Sequence, residues 1–360
     1  MAKRQEEMDT QRKQRTGKKR RKVNQRRRRI KSYILRTLLS LFTLILLVAG
    51  GLLGLLYVVF LGPSQTAGDL TVVTMLETSA LKFVPRIFYT EEEVQQIIAR
   101  NAVIEPEEEI DTSMVVIEKK TEKDSEETEE KDIEIIDIKG ATYRGWLMIV
   151  KDPSRVSVGV SRKEGFDDDL DGKRLHEIVE EYGAIAGING GAFEDGGGMG
   201  NGGMPIGVVI SEGNLMKKAT TGSRDTVIGF DQDDKLQIGK FSSEKAQRLG
   251  LRDAVSFGPA LVVNGEAARI EGASSGLNPR TAIGQRADGA VLMLVIDGRQ
   301  VNSMGASMAD LIEIMLKYGA VNAANLDGGS SSNLYYDGEY LNDGVPLTGA
   351  RDIPTGFIVR

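Results

Sequence analysis

AVLMLVIDGRQVNSMGASMADLIEIMLKYGAVNAANLDGGSSS, residues 290–332, holds the elements on which the fold turns. The apolar run 290–296 ends at Asp297 and Gly298 and reads as a buried strand closed by a turn. Between 307 and 319 the period changes. Leu311, Ile312, Met315 and Leu316 fall on one side of a helix, which Ser307 and Asp310 would open and Gly319 would close. The run AANL (323–326) is a second strand, followed by Asp327, Gly328 and Gly329. If the helix returns the chain across one sheet, both strands point the same way and their carboxyl ends share an edge. Asp297 and Asp327 would then face a single cleft.

Similar short runs recur outward from this segment, at 143–150, 156–160, 184–188, 206–210, 226–230 and 260–263, bounded by Gly, Asp, Asn or Pro. A further helix is expected at 173–183, with Leu175, Ile178, Val179 and Tyr182 on one face. Of 42 glycines, 36 lie in 135–360, about twice the usual share, so the backbone makes many tight turns or close approaches. These features predict one α+β domain over 135–360, a glycine-rich mixed sheet with few helices.

Upstream the texture differs. Residues 1–36 carry 16 Lys and Arg against 3 Asp and Glu, whereas the remaining 324 residues hold 30 against 49. No charge occurs between Arg36 and Asp69, and 37–62 is apolar enough for a transmembrane anchor. The basic cluster 18–31 beside it predicts a cytoplasmic tail over 1–36, an extracytoplasmic domain and contact with anionic lipid. Such a chain is a single-pass cell-membrane protein touching the bilayer through 37–62, and its basic run is assigned to topology, not nucleic acid. Residues 63–134 are expected to hold a juxtamembrane helix (89–101) and then an acidic linker, since 105–134 has 14 acidic residues, 4 lysines and no aromatic.

Several chemistries are excluded at once. The absence of Cys removes disulfides, thiolate metal sites and cysteine nucleophiles, and a single His, His176, removes multi-histidine zinc sites. His176 borders an apolar helix face and reads as structural. Gly198, Gly200 and Gly203 form a G-x-G-x-x-G, but Pro205 and a strand follow where a dinucleotide motif needs a helix. Asp167, Asp169, Asp171 and Gly172 match half a calcium loop, yet Ile178 stands where its bidentate Glu belongs. No metal or cofactor is expected.

The remaining motifs cluster at strand ends. INGGAF (188–193) presents Asn189, Gly190 and Gly191; NPRTAIG (278–284) presents Arg280 and Thr281. IDGR (296–299) presents Asp297 and Arg299, and NLDGGSSS (325–332) presents Asn325, Asp327, Gly328, Gly329 and Ser330. Each is also compatible with an ordinary turn. Together they supply carboxylates for work at a glycosidic carbon and guanidinium forks for phosphate.

With FGPALVVNG (257–265) and GASMADL (305–311), this ordered set resembles the phosphodiester glycosidase family over roughly 135–360. The resemblance implies hydrolysis of a sugar-1-phosphodiester between the anomeric carbon and oxygen, in an envelope glycan, a teichoic-acid-like polymer or an exopolysaccharide. It places the active site on Asn189, Arg280, Thr281, Asp297, Arg299, Asn325, Asp327 and Ser330. Arg280 and Arg299 would hold phosphate, Asp297 or Asp327 would act as base or nucleophile, and Gly328 and Gly329 would admit the substrate. Two rival expectations are a non-catalytic glycan-binding or assembly protein on the same fold, and a phosphodiesterase cleaving P–O.

Overall fold

The computed structural model describes residues 2–360 except 79–80, 119–131, 168–169, 197–199, 221–224, 274 and 343–349. Two compact units result, Met1–Gly62 and Pro63–Arg360. The first is one helix, α1 (Ala2–Leu61), whose part Arg29–Leu61 is long and apolar enough to cross a membrane. Leu38, Phe42, Leu46 and Leu53 stand exposed along it.

The second unit begins with α2 (Gln65–Leu76), α3 (Pro85–Phe88) and α4 (Glu91–Ala99), the last opened by the capping box of Thr90 and Glu93. Its largest sheet runs in the order β12 (Glu266–Ala267), β11 (Ala260–Val263), β16 (Ala320–Leu326), β14 (Arg280–Arg286), β15 (Val291–Ile296), β3 (Arg144–Val150) and β2 (Ile133–Lys139). A five-stranded sheet follows the order β18 (Glu339–Tyr340), β17 (Leu334–Tyr336), β5 (Ala186–Asn189), β19 (Thr355–Val359) and β4 (Val156–Val160). Another follows β7 (Asn214–Lys217), β6 (Val209–Ser211), β10 (Asp253–Phe257), β8 (Asp225–Phe230) and β9 (Leu236–Phe241). A short pair, β1 (Val103–Ile104) with β13 (Arg269–Ile270), completes the set. Helices α5 (Leu175–Glu181), α6 (Ser243–Arg248) and α7 (Met308–Lys317) pack on these sheets.

The continuous apolar run of β15 is explained by cover on both faces. Val291, Met293 and Val295 enter the main core with Phe230 and Phe357, while Leu292, Leu294 and Ile296 meet Leu311 and Met315 of α7. The α+β class holds, but every neighbouring pair among the described strands is antiparallel, where a mixed sheet was expected. Strand β14 is the reason. It lies between β15 and β16 and runs against both, so those two are parallel without touching. Helix α7 therefore carries the chain across two strand positions.

This topology sets the site. Thr281 pairs with Val295 on one side and Leu326 on the other, so the start of β14 and the ends of β15 and β16 share one edge. The stretch 105–118, expected as a solvated linker, instead lies on the domain. Val115 is buried, and the Glu105 carboxylate accepts from the Ala260 amide at 2.8 Å and pairs with Lys240 at 2.8 Å. Composition counts charges but does not see such individual partners. Of the rest of the acidic run, 119–131 lies outside the described residues and its last two residues open β2; Asp169 and Gly198 of the two rejected motifs are likewise outside.

Candidate active site

A cleft of about 690 Å³ opens at the shared edge. Of the residues expected in a site, Arg280, Arg299, Asn325, Asp327, Gly328, Gly329 and Ser330 line it. Among the described residues, Asn189, Gly190, Gly191, Thr281 and Asp297 do not, and each has a structural task behind it.

Asp327 follows β16 and is half-buried. Its Oδ1 accepts from the Gly328 amide at 3.0 Å, and its own amide donates to the Gly190 carbonyl at 3.2 Å. Burial pushes this carboxyl up to about 6; the Ser331 hydroxyl, the Gly328 amide and the Arg351 charge act against that rise, and the Asp195 carboxylate adds to it. A carboxyl with a pKa near neutrality inside a cleft is suited to proton transfer.

Asn189 positions this loop. Its Nδ2 donates to the Asp327 carbonyl at 2.6 Å, while its Oδ1 accepts from the Thr281 hydroxyl at 2.7 Å and the Asn333 amide at 3.2 Å. One buried amide thus ties β5, β14 and the loop after β16. Gly190 and Gly191 allow close strand contact: a Cβ on Gly190 would lie 2.6 Å from the Thr355 hydroxyl, and one on Gly191 would lie 2.6 Å from the Ser256 carbonyl. Gly329 differs. Its φ of +64° lies in the left-handed region, and its amide donates to the Pro279 carbonyl at 2.9 Å. That turn presents Gly329 and Ser330 to the cleft.

The two arginines are not equivalent. Arg280 is buried and every nitrogen of its guanidinium is engaged. Nη1 pairs with Glu77 Oε2 at 2.8 Å, Nη2 donates to the Ser275 and Gly276 carbonyls at 2.8 and 3.2 Å, and Nε donates to the Ala306 carbonyl at 3.3 Å. Among the described residues, the Arg299 guanidinium donates longer bonds, to Asn278 Oδ1 at 3.2 Å and the Glu77 carbonyl at 3.4 Å. Burial draws its pKa below the usual guanidinium range, with the Glu77 carboxylate opposing. A guanidinium held in a cleft by a neutral amide and a carbonyl is the better seat for an anion.

Asp297 closes β15 from behind. Its Oδ1 accepts from Asn342 Nδ2 at 3.1 Å, and its carbonyl accepts from the Ser303 hydroxyl at 2.6 Å. The same Asn342 amide donates to the Ser332 carbonyl at 2.9 Å, so Asp297 braces the loop after Asp327. Asn325 is 1% exposed and lines the cleft; its Nδ2 donates to the Gly258 carbonyl at 2.8 Å, but its Oδ1 has no partner among the described residues. A buried acceptor left open beside a cleft is suited to a ligand hydroxyl or N–H.

Sequence reasoning missed Glu77, Asn278, Asp195 and Arg351, all of which line the cleft. Arg351 pairs with Asp195 at 2.5 Å and lies over the Phe193 ring, 5.0 Å from its centroid. Asp195 stands two residues past INGGAF and Asn278 opens NPRTAIG, so both were within reach of the motifs. Glu77 and Arg351 carry no such local signal. His176, away from the cleft, sits with Nδ1 3.1 Å from the Tyr340 hydroxyl. No group of three or more His, Cys, Asp or Glu suited to a metal occurs among the described residues.

Comparison with known proteins follows the same outline. Residues 182–360 match the family model described as phosphodiester glycosidase. The chain is 37% identical over 98 residues to the SPbeta prophage-derived uncharacterized protein YomE of Bacillus subtilis (strain 168), covering 26% of this chain and 15% of that protein. It is 28% identical over 184 residues to the N-acetylglucosamine-1-phosphodiester alpha-N-acetylglucosaminidase of Bos taurus, covering 46% and 33%. The chain thus spans a third or less of the length of these curated relatives. The zebrafish N-acetylglucosamine-1-phosphodiester alpha-N-acetylglucosaminidase catalytic domain, solved auto-inhibited by its pro-peptide, superposes with a TM-score of 0.53. That match has 22% identity and covers 63% of this chain and 82% of the solved one, a likeness of fold.

Proposed function

Residues 182–360 belong to the phosphodiester glycosidase family, and from that premise we propose that this chain hydrolyses the sugar C1–O bond of a glycosyl-1-phosphodiester. The observation that carries the reading is Asp327, a carboxyl pushed up to about 6 in a cleft that also holds Arg299 and the open acceptor of Asn325. Arg299 receives the phosphate, and the amide oxygen of Asn325 takes a donor from the sugar. Ionised Asp327 activates water or attacks the anomeric carbon. The departing phosphomonoester leaves as an anion already paired with Arg299, so it needs little help from a general acid. Arg280, Asn189, Thr281 and Asp297 act as positioning residues around this centre.

Because the bovine relative is named for N-acetylglucosamine-1-phosphodiesters, an ester of that sugar phosphate is the first substrate to try. Hydrolysis in ¹⁸O-labelled water tests the bond: label in the free sugar supports C–O cleavage, and label in phosphate replaces it with P–O cleavage. No release of sugar or phosphate across a panel of sugar-1-phosphodiesters would leave the non-catalytic glycan-binding reading in its place. The setting we propose is a single-pass membrane protein. Residues 37–62 contact the bilayer, the basic tail is cytoplasmic, and the catalytic domain faces envelope glycan or exopolysaccharide outside.

A further inference from the structure

Part of the cleft wall, 7 of its 25 lining residues, comes from outside the region that matches the family. Val73 and Leu76 of α2, Ile98 of α4 and Val103 of β1 line it, joined by Met308 at the start of α7. Ile98 is 41% exposed although it sits in a concavity. Among the described residues, the two polar side chains that the 65–104 segment brings to the cleft are both engaged. The Asn101 amide donates to Asp69 at 3.0 Å and to the Ile97 carbonyl at 2.7 Å, its oxygen accepts from the Ala273 amide, and the Glu77 carboxylate is held by Arg280 and by Asn278 at 2.8 Å. The same cleft holds Asp327, Asn325 and the 328–331 backbone, the groups that suit a sugar.

A phosphodiester has two arms, and the sugar uses only one. We propose that the other arm is hydrocarbon, making the substrate a glycosyl-1-phospholipid, and that the 65–104 segment selects it. The proposal rests on the glycosidase reading above. A polyol or second sugar against this wall would give up water for its hydroxyls without gaining side-chain partners in exchange. An alkyl chain there gains with each methylene removed from water. The chain itself offers a reason for such a substrate. Only three residues, Gly62 to Ser64, separate the end of α1 at Leu61 from the start of α2 at Gln65. A chain anchored as proposed above shares its bilayer with lipid-borne esters.

The test uses the full chain in phospholipid nanodiscs and two esters of N-acetylglucosamine-1-phosphate, one with decanol and one with glycerol. The decyl ester is expected to show a kcat/KM at least about tenfold higher, the gain from burying two or three methylenes. Ile98→Asn should shrink that ratio severalfold, and Ile98→Leu should restore it, which separates a lost apolar contact from a damaged fold. Equal rates, a preference for the glyceryl ester, or a ratio unmoved by Ile98→Asn overturns the lipid assignment and leaves the glycosidase reading standing. Hydrolysis of neither ester, with the ¹⁸O panel also blank, removes both.

Discussion

Asp327 carries the sharpest expectations, because its environment and its proposed task pull in opposite directions. The folded state holds its proton up to about 6, against 3.8 for an ordinary Asp. Between those values the native protein binds more protons than the unfolded chain, so this group lowers stability as pH rises through that window. Asp327→Asn should therefore raise stability at pH 7 by on the order of 1 kcal/mol after allowance for partial exposure, read as a higher melting temperature. The same variant should lower kcat by on the order of 10²-fold or more and abolish the fall in rate below pH 6, since the ionised form is the active one. Full turnover with an intact acid limb would dismiss Asp327 from the chemistry. Glu77 makes a contrary case. Its carboxylate lies on Arg280 beside the proposed phosphate seat, and Glu77→Gln removes a negative charge there while keeping a hydrogen-bonding group. Calorimetry should find inorganic phosphate bound roughly severalfold more tightly; unchanged or weaker binding would place the anion elsewhere.

At the scale of elements, the edge formed by β14, β15 and β16 separates two carboxylates that look alike in sequence. Each follows an apolar strand and precedes a glycine, yet Asp327 lines the cleft and Asp297 bonds to Asn342 behind it. Asp297→Ala should accordingly lower the melting temperature more than kcat, while Asp327→Asn does the reverse. A loss of kcat in Asp297→Ala as deep as that in Asp327→Asn would bring Asp297 into the reaction. Helix α7 tests the frame beneath them. Ser307 accepts from the Asp310 amide at 3.2 Å, and Asp310 accepts from the Ser307 amide at 2.7 Å. Ser307→Ala should cost about 1 kcal/mol of stability in denaturant titration, with the two Asp side chains unaffected. The elements themselves were legible for physical reasons: the β15 run is apolar at every position because both faces are covered, and α7 shows its caps and stripe because one face meets that sheet.

For the whole molecule, the contrast between a tail of 16 basic and 3 acidic residues and the acidic remainder makes an orientation testable. Protease added to intact cells should remove the domain and spare the tail; a digested tail under a protected domain would invert the proposed topology. The N-terminal segment also changes what the molecule is as a unit. Residues 63–134 were expected to hold a juxtamembrane helix and then an acidic linker; within the second unit, Val73, Leu76, Glu77 and Ile98 of this stretch line the cleft.

By itself the sequence determined the strand runs, the capped helices, the apolar span and the motif set that marks the family, because those follow from local periodicity, local caps and ordered short motifs. Tertiary structure alone decided which motif residues face the cleft. Asn189 meets Thr281 and Asp327, Arg280 meets Glu77, and Asp297 turns to Asn342. These are contacts between residues tens to hundreds of positions apart, and they exist only once β14 has entered between β15 and β16. No local pattern encodes such partners, since a carboxylate or guanidinium at a strand end has the same sequence surroundings whether it is braced from behind or open to a ligand.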